Sequence, residues 1–511
     1  MNLDEFQKAP WQKSHDLYRK SALSVSPAPE YASSEVILAS LCRTIGFSAV
    51  NERGVPQAGR DLDRKIQRLR EKRAPAVEGT SADADTWNTV LHGVLESPKL
   101  KNQSSKRFLQ VTPVVPGTAL FSGSARLTPN SWPAGSMVRR MICLGSRDRQ
   151  QAEALWKDLF AALSVGERDD IFARWLEQET HAWIPGQAWE LDPIPPEEPG
   201  LDGEDLAKVD FLPARQFTKD LRAVIQAKDA MTRRQWTSLL EAMLRLAAVS
   251  HVTWLCDVQA RTWQCLLDSL SSGGPSGGEQ ARGEVFPSRP QYMTYGGKAL
   301  PALKDMVSEY LGARLGINMV LWSLQEARVP YEGDLSSSSG IAALCQHVRE
   351  NHAALSALGT LQAFLDLRER ESRAMNCKKG IGANMLEFAR HALGQRDTAE
   401  PLLRGYDQGY VLKKKGASAS SPWVVSLGPV AVLALVHCSL AGMSGPRSIH
   451  RLGQHLAAYG IAIDRHEIAG NDLGHQLRML GLVLDSPDAE SGMLLLPPFT
   501  SNRPGKASTN E

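Results

Sequence analysis

The chain has no Cys-x-x-Cys pair, no Gly-x-x-x-x-Gly-Lys loop closed by Ser or Thr, and no His-Glu-x-x-His helix. The first absence removes the common thiol-based zinc and redox motifs. The second removes the phosphate cradle of the P-loop enzymes, and the third removes the zinc-protease pair. A charge bias is missing as well: 58 Lys and Arg against 56 Asp and Glu leave a formal charge of +2. No strong global field therefore draws the protein to nucleic acid or lipid. The opening stretch MNLDEFQKAPWQKSHD contains acids and no apolar core, so no secretory leader is expected. Seven cysteines, at 42, 143, 256, 265, 345, 377 and 438, are widely spaced among apolar neighbours. That is the pattern of reduced, buried thiols, and a cytoplasmic location is expected.

The partial matches to chemical motifs carry little. Cys377-Lys-Lys-Gly-Ile-Gly-Ala-Asn384 contains a Gly-x-Gly, but it follows a charged helical stretch where a dinucleotide site needs a strand. Cys345-Gln-His347 with His352 is the nearest metal-like group. Two histidines five apart do not share a helix face well, and no second cysteine completes a set. Asp169 and Asp170 are adjacent, so on a helix they point apart. No cofactor and no metal is expected, and no catalytic residue can be named.

What is present is a chain long enough, at 511 residues, for about three or four domains. Its 42% hydrophobic and 22% charged content is that of an ordinary globular protein. Charge is unevenly spread: residues 1–150 carry a net +8, residues 401–511 a net +2, and the middle a net −8. A basic front suits an acidic partner or a polyanion; uneven surface charge is the plain alternative. In RDLDRKIQRLREKR, residues 60–73, Leu62, Ile66 and Leu69 share one helical stripe, while Arg64, Arg68 and Lys72 line another. This basic amphipathic helix either grips phosphates or is a solvated face.

Further along, RFLQVTPVVPGTALF and SMVRRMICLG, within 107–145, are short apolar runs broken by Pro and Gly, which predicts a few strands. The predicted layout is a mixed α/β basic domain over 1–145 and a helical domain over 146–270. A second helical domain covers 285–400, and a small α/β module covers 405–499, with a loose tail at 500–511. Ser164-Val-Gly-Glu167 has the form of a capping box and should open a helix. The acidic Pro-rich run at 192–205 reads as a linker and the Gly/Ser run at 271–284 as a flexible break. Trp236, Leu240, Met243 and Ala247 recur at helical spacing in a region that also contains Arg245, His251 and Asp257, so it reads as core. LPALKDMVSEYLGARLG and INMVLWSLQEARV follow as helices, and Leu358, Leu361 and Leu365 form a stripe in the next one.

The longest apolar run, Trp423 to Met443, has no charged residue and the length of a membrane span. Gly428-Pro429 interrupts it, however, and proline is better placed at the first position of a helix than inside one. The run is expected to split into a strand, Trp423–Leu427, and a buried helix from Pro429 to about Leu440. Upstream, GYVLKKKGASASSPWVVSL reads as a hairpin. Downstream come SIHRLGQHLAAYG, with Ser448 as cap and Gly460 as stop, then DLGHQLRMLG capped by Asn471 or Asp472. LVLDSPDAESGMLLLPP closes as strand, turn, strand.

The order hairpin, helix, helix, helix, hairpin over residues 405–499 resembles a winged helix-turn-helix domain. In that family the third helix commonly ends in a Leu-rich turn leading into the wing, as Leu477-Arg-Met-Leu-Gly-Leu-Val483 does here; Gly470 and Gly474 depart from the pattern. The resemblance implies nucleic-acid contacts from Lys413, Lys414, Lys415, Arg447, Arg451, Arg465, His475, Gln476 and Arg478, with Arg64, Arg68 and Lys72 as a second basic element. The wing is acidic at Asp485, Asp488 and Glu490, which disfavours phosphate, and many winged domains bind proteins. The chain is also similar in general look to accessory proteins of bacterial anti-phage defence systems of the methylation-associated kind. That likeness implies a methyltransferase, a nuclease or an ATPase as partner. The expected fold is therefore mainly α and multidomain, a helix-rich body with a small mixed α/β N-terminal part and a C-terminal winged helix. The expected role is a non-catalytic scaffold or adaptor that docks on protein partners, with DNA contact open and no membrane association. A DNA-binding transcription regulator and an enzyme whose site is assembled from distant residues are the alternatives.

Overall fold

A computed structural model describes residues 2–25, 28–29, 34–48, 86–87, 89–91, 113–120, 131–183, 188–201, 203–271, 285–288, 290–397, 405–418, 420–443, 445–464, 466–485 and 493–499. Arg64, Arg68 and Lys72, the break at 272–284 and the tail at 500–511 lie outside these residues, as do Arg465, Asp488 and Glu490. The fold is mainly helical, with strands of two or three residues.

The N-terminal part contains α1 (Leu3–Lys8), α2 (Asp16–Lys20) and α3 (Ser34–Gly46), followed by α4 (Ala134–Gly145), α5 (Arg149–Leu163) and α6 (Ile171–Trp183). The strands expected within 107–145 do not form among the described residues, apart from the two-residue pairing of Ser131–Trp132 with Ala28–Pro29. SMVRRMICLG is helical instead. Met137, Val138, Met141, Ile142 and Gly145 recur at helical spacing and all are buried. A short apolar run cannot be told from a buried helix by composition, and here the 3.6-residue period decides.

Ser164 is not a helix start. It is the C-cap of α5, donating its hydroxyl to Phe160 O at 2.8 Å. The cap of α6 is Asp170, whose carboxylate accepts the Ala173 N–H at 3.0 Å. The acidic Pro-rich run is an anchored strap. Glu190 and Asp192 donate their N–H groups to Gly46 O and Ile45 O. Arg149 donates to the carbonyls of Ile194, Pro195 and Pro196, and Glu198 accepts from Arg139 and Arg140 at 2.9 and 3.1 Å. Proline supplies carbonyls but no N–H, so a Pro-rich strand is suited to be held by arginines.

The centre of the molecule is α8 (Arg233–Ser271), preceded by α7 (Pro213–Gln226) and followed by α9 (Ala299–Glu326). The two helices expected over 300–329 are one; nothing between Gly316 and Ile317 interrupts the ladder. α8 has 39 residues, and every residue from Ala242 to Cys256 in its middle is buried, which marks a helix surrounded by protein. It is the one helix among the described residues long and apolar enough to cross a membrane, and 94% of its apolar window is buried inside the protein. Trp236, Leu240, Met243 and Ala247 are in that core. α10 (Ser338–Glu350), α11 (Thr360–Arg370) and α12 (Gly380–Leu393) complete the helical body. One hydrophobic cluster runs from Phe6 to Leu495.

The greasy run divides at Gly428-Pro429. β1 (Leu412–Lys414) pairs antiparallel with β2 (Trp423–Val425), and α13 (Pro429–Ser439) starts with proline in its first turn. Ala431, Val432, Ala434, Leu435, Val436 and Cys438 of α13 are buried. β3 (Arg447–Ser448), α14 (His450–Ala457), α15 (Asp472–Met479), β4 (Val483–Asp485) and β5 (Met493–Leu495) follow. β5 lies between β3 and β4, antiparallel to both.

Candidate interaction site

The face built by α15 and the β4–β5 hairpin is positioned by two capping devices. At its start, Asn471 accepts the Leu473 and Gly474 N–H groups at 2.9 and 3.2 Å, so Asn471 and not Asp472 is the cap. At its end, the Leu482 N–H reaches Leu477 O and the Gly481 N–H reaches Arg478 O, with Gly481 at φ +66°. This paired closure needs a left-handed residue, which glycine adopts without strain. The turn aims the chain directly into β4.

Gly474 is a packing requirement here. A Cβ at that position would sit 2.1 Å from Ile468 O and 2.8 Å from Ala469 O, so only glycine lets α15 approach the preceding 3-10 turn. The helix is eight residues long.

The module is stitched to the body by its backbone and by one buried carboxylate. Met293–Thr294 pairs in parallel with Ile461–Ala462, and Val425 exchanges hydrogen bonds with Gly296 and Gly297. Asp220 of α7 accepts from Tyr459 Oη at 2.6 Å and Gln216 Nε2 at 2.8 Å. His455 Nε2 lies 2.9 Å from the same carboxylate, off the line of a good hydrogen bond. Burial, then the Asp220 charge, pushes the Tyr459 hydroxyl well above its ordinary value, so it stays a donor. Ser250 of α8 donates to Tyr459 O at 3.0 Å. The face therefore has a rigid mount.

The residues expected to meet nucleic acid are dispersed. On β1 Lys413 is exposed and Lys414 half-buried, and Lys415, just past the strand, is exposed. Arg447 is exposed on β3, Arg451 on α14 and His475 on α15. Gln476 is half-buried and donates to Asp472 at 3.3 Å. Arg478 is engaged within the module: its guanidinium contacts both oxygens of Asp485 in β4 at 3.2 to 3.3 Å and donates to Ala469 O at 2.9 Å. The one arginine of α15 is thus neutralised by the hairpin beside it.

Three apolar side chains occupy the outer surface instead. Met479 is 74% exposed, Leu484 49% and Leu480 39%. The sequence reading missed them, although a signal was available. Leu473 and Leu477, i and i+4, already fill the inward stripe of α15, which leaves Met479 off it. In β4, alternation turns Leu484 outward once Val483 faces in. A second apolar row, Leu358, Leu361 and Leu365, also faces solvent, because Leu355, Phe364 and Leu367 carry the buried side of those turns.

Among the described residues, no group of three His, Cys, Asp or Glu side chains is placed to hold a metal ion. His347 is occupied at Val329 O, 2.9 Å away. A Gly-x-Ser-x-Gly string, the mark of a hydrolase elbow, occurs at 274–278, outside the described residues. Comparison of the sequence with protein-family models and with curated proteins finds no match.

Proposed function

We propose that the chain is a non-catalytic scaffold or adaptor, and that its C-terminal module is a winged helix that docks on a protein partner. Support for the winged helix comes from the order helix, strand, helix, helix, hairpin and from the central place of β5 between β3 and β4. In that architecture α15 is the recognition helix and the β4–β5 hairpin the wing. The observation that carries the docking role is the surface of this pair. Its arginine is bound to the Asp485 carboxylate while Met479, Leu480 and Leu484 stand in solvent. Apolar contacts of this kind suit a protein interface, whereas reading a duplex needs free cationic or amide groups. The likeness to accessory proteins of methylation-associated anti-phage systems suggests a methyltransferase, a nuclease or an ATPase as the partner.

The test is recovery of stoichiometric partners with the full chain from its native host, beside the Met479→Glu/Leu484→Glu variant. The wild type should retain a defined partner and the variant should lose it. Recovery of the chain alone, or equal recovery by the variant, overturns the reading. The exposed Lys413, Lys415, Arg447 and Arg451 favour a second reading, a DNA-binding regulator. Site-specific duplex binding that persists at moderate salt and falls on replacing Lys413, Lys414 and Lys415 with Ala is the outcome that reading requires.

A further inference from the structure

Fifteen consecutive residues, Asn351 to Leu365, contain no Asp, Glu, Lys or Arg, in a chain that is 22% charged. The apolar run at Trp423–Met443 goes inward as β2 and α13; this second uncharged run lies on the surface. It forms the short helix His352–Ala357, a corner at Leu358 and Gly359, and the first turns of α11. Leu355, Phe364 and Leu367 carry its inward side. On the outward side Ala353, Ser356 and Ala357 are exposed, and Leu358, Leu361 and Leu365 are 43%, 37% and 45% exposed. A helix face that meets only water is ordinarily polar and charged. A leucine row with an uncharged flank has the composition of an interface centre, where charged residues are depleted.

The row's own chemistry selects its occupant. It offers no cation to a phosphate, so a nucleic acid gains nothing there. The segment that follows, residues 366–373, holds three acids and three arginines. It therefore exerts no net pull on anionic lipid and steers no partner of either sign. A second copy brings the same leucines and the same balanced rim, so it approaches without net repulsion. The spacing suits it as well. The leucines are three and four residues apart, the interval of a seam between two helices. An antiparallel crossing about a two-fold axis sets Leu358 of one copy against Leu365 of the other and brings Leu361 near its own counterpart.

We propose that the chain self-associates through Leu358, Leu361 and Leu365 as a two-fold dimer. The row is small beside the roughly 20 to 30 residues a side of a standard interface, so the dimer is weak and depends on concentration. The pairing uses no residue of the α15 face, and it stands or falls independently of the partner proposed there.

Sedimentation equilibrium of the purified full chain, over roughly 5 to 300 μM, tests this. The weight-average mass should climb from the 55.9 kDa of one chain by about 1.5-fold or more. The Leu361→Glu/Leu365→Glu variant, altered only at exposed positions, should stay at the mass of one chain with its helical circular dichroism retained. Raising the salt from about 50 to 500 mM should not dissociate the wild type, because no charge is paired across the row. A wild type that stays monomeric overturns the proposal and leaves the row to a different protein. A variant that associates as the wild type does, or a dimer that salt dissolves, also overturns it. Should the double variant not fold, Leu361→Gln makes the same comparison.

Discussion

His251 should make the protein measurably less stable in mild acid, and His251→Phe should remove that sensitivity. The imidazole is fully buried in α8, between Trp132 at 6.4 Å and Trp254 at 6.5 Å, and neither ring nitrogen finds a partner among the described residues. Burial first, and the positive charge of Arg140 second, lower its pKa to about 3. In the unfolded chain an imidazole titrates near its ordinary value of about 6.5. Between these values the unfolded state binds one proton more, so stability falls as the pH is lowered from about 6.5 towards 3 and is unaffected above 6.5. The slope is about 1.4 kcal/mol per unit, which gives about 2 kcal/mol lost by pH 5. Phenylalanine cannot take up that proton. At pH 7.5 the variant gains from losing two orphaned polar atoms and loses from its slightly larger ring, opposing effects of about 1 to 3 kcal/mol each. The diagnostic quantity is therefore the change in the difference with pH. Urea unfolding of both proteins at pH 7.5 and pH 5 should show the variant gaining about 2 kcal/mol on the wild type. Parallel pH dependence would mean that the buried imidazole is solvated or paired and carries no proton penalty on folding.

Three further outcomes are expected. Arg245→Met leaves Asp407 buried without its cation and should cost about 3 to 5 kcal/mol in denaturant unfolding, whereas adding Asp407→Asn to that variant should recover part of the loss. Gly474→Ala drives a methyl group into the Ile468 carbonyl and should destabilise the chain by about 1 to 3 kcal/mol, read as a lower thermal midpoint. Asp485→Ala releases Arg478 from the hairpin; binding of the chain to random duplex DNA should tighten, with a log–log salt slope steeper by about 1, and an unchanged slope would show that α15 stays away from phosphate.

The described strands and helices between residues 412 and 495 were largely legible in the sequence because their signals are local, although Ile449 and not Ser448 takes the N-cap of α14. Proline after glycine at 428–429, asparagine before an apolar period at 471 and glycine after Leu480 each act within one turn of backbone. The N-terminal part was less legible for the opposite reason. Met137, Val138 and Met141 are apolar and partly β-branched, and only their burial against α3 and α7 makes the helix period visible. Asp170 outcompeted Ser164 as a cap because Ser164 closes the previous helix, a choice that depends on where α5 ends. The arginines that hold the acidic strap lie some 40 to 60 residues from their partners in sequence, beyond any pattern of spacing. At the candidate site, the cationic residues could be listed from the sequence and the outward turn of Met479 follows from the Leu473–Leu477 stripe, but the capture of Arg478 by Asp485 required the fold.

The backbone stitching between residues 292–297 and the segments at 425 and 460–462 has a consequence for synthesis. α8 packs on α13, and its Ser250 waits for Tyr459, so a nascent chain that has emerged only to about residue 400 presents the apolar flank of its longest helix with nothing to cover it. Completion of the core is thereby deferred until the residues at 459–462 have been made. A stalled or truncated product of this gene is expected to be a chaperone client or an aggregate rather than a smaller working protein.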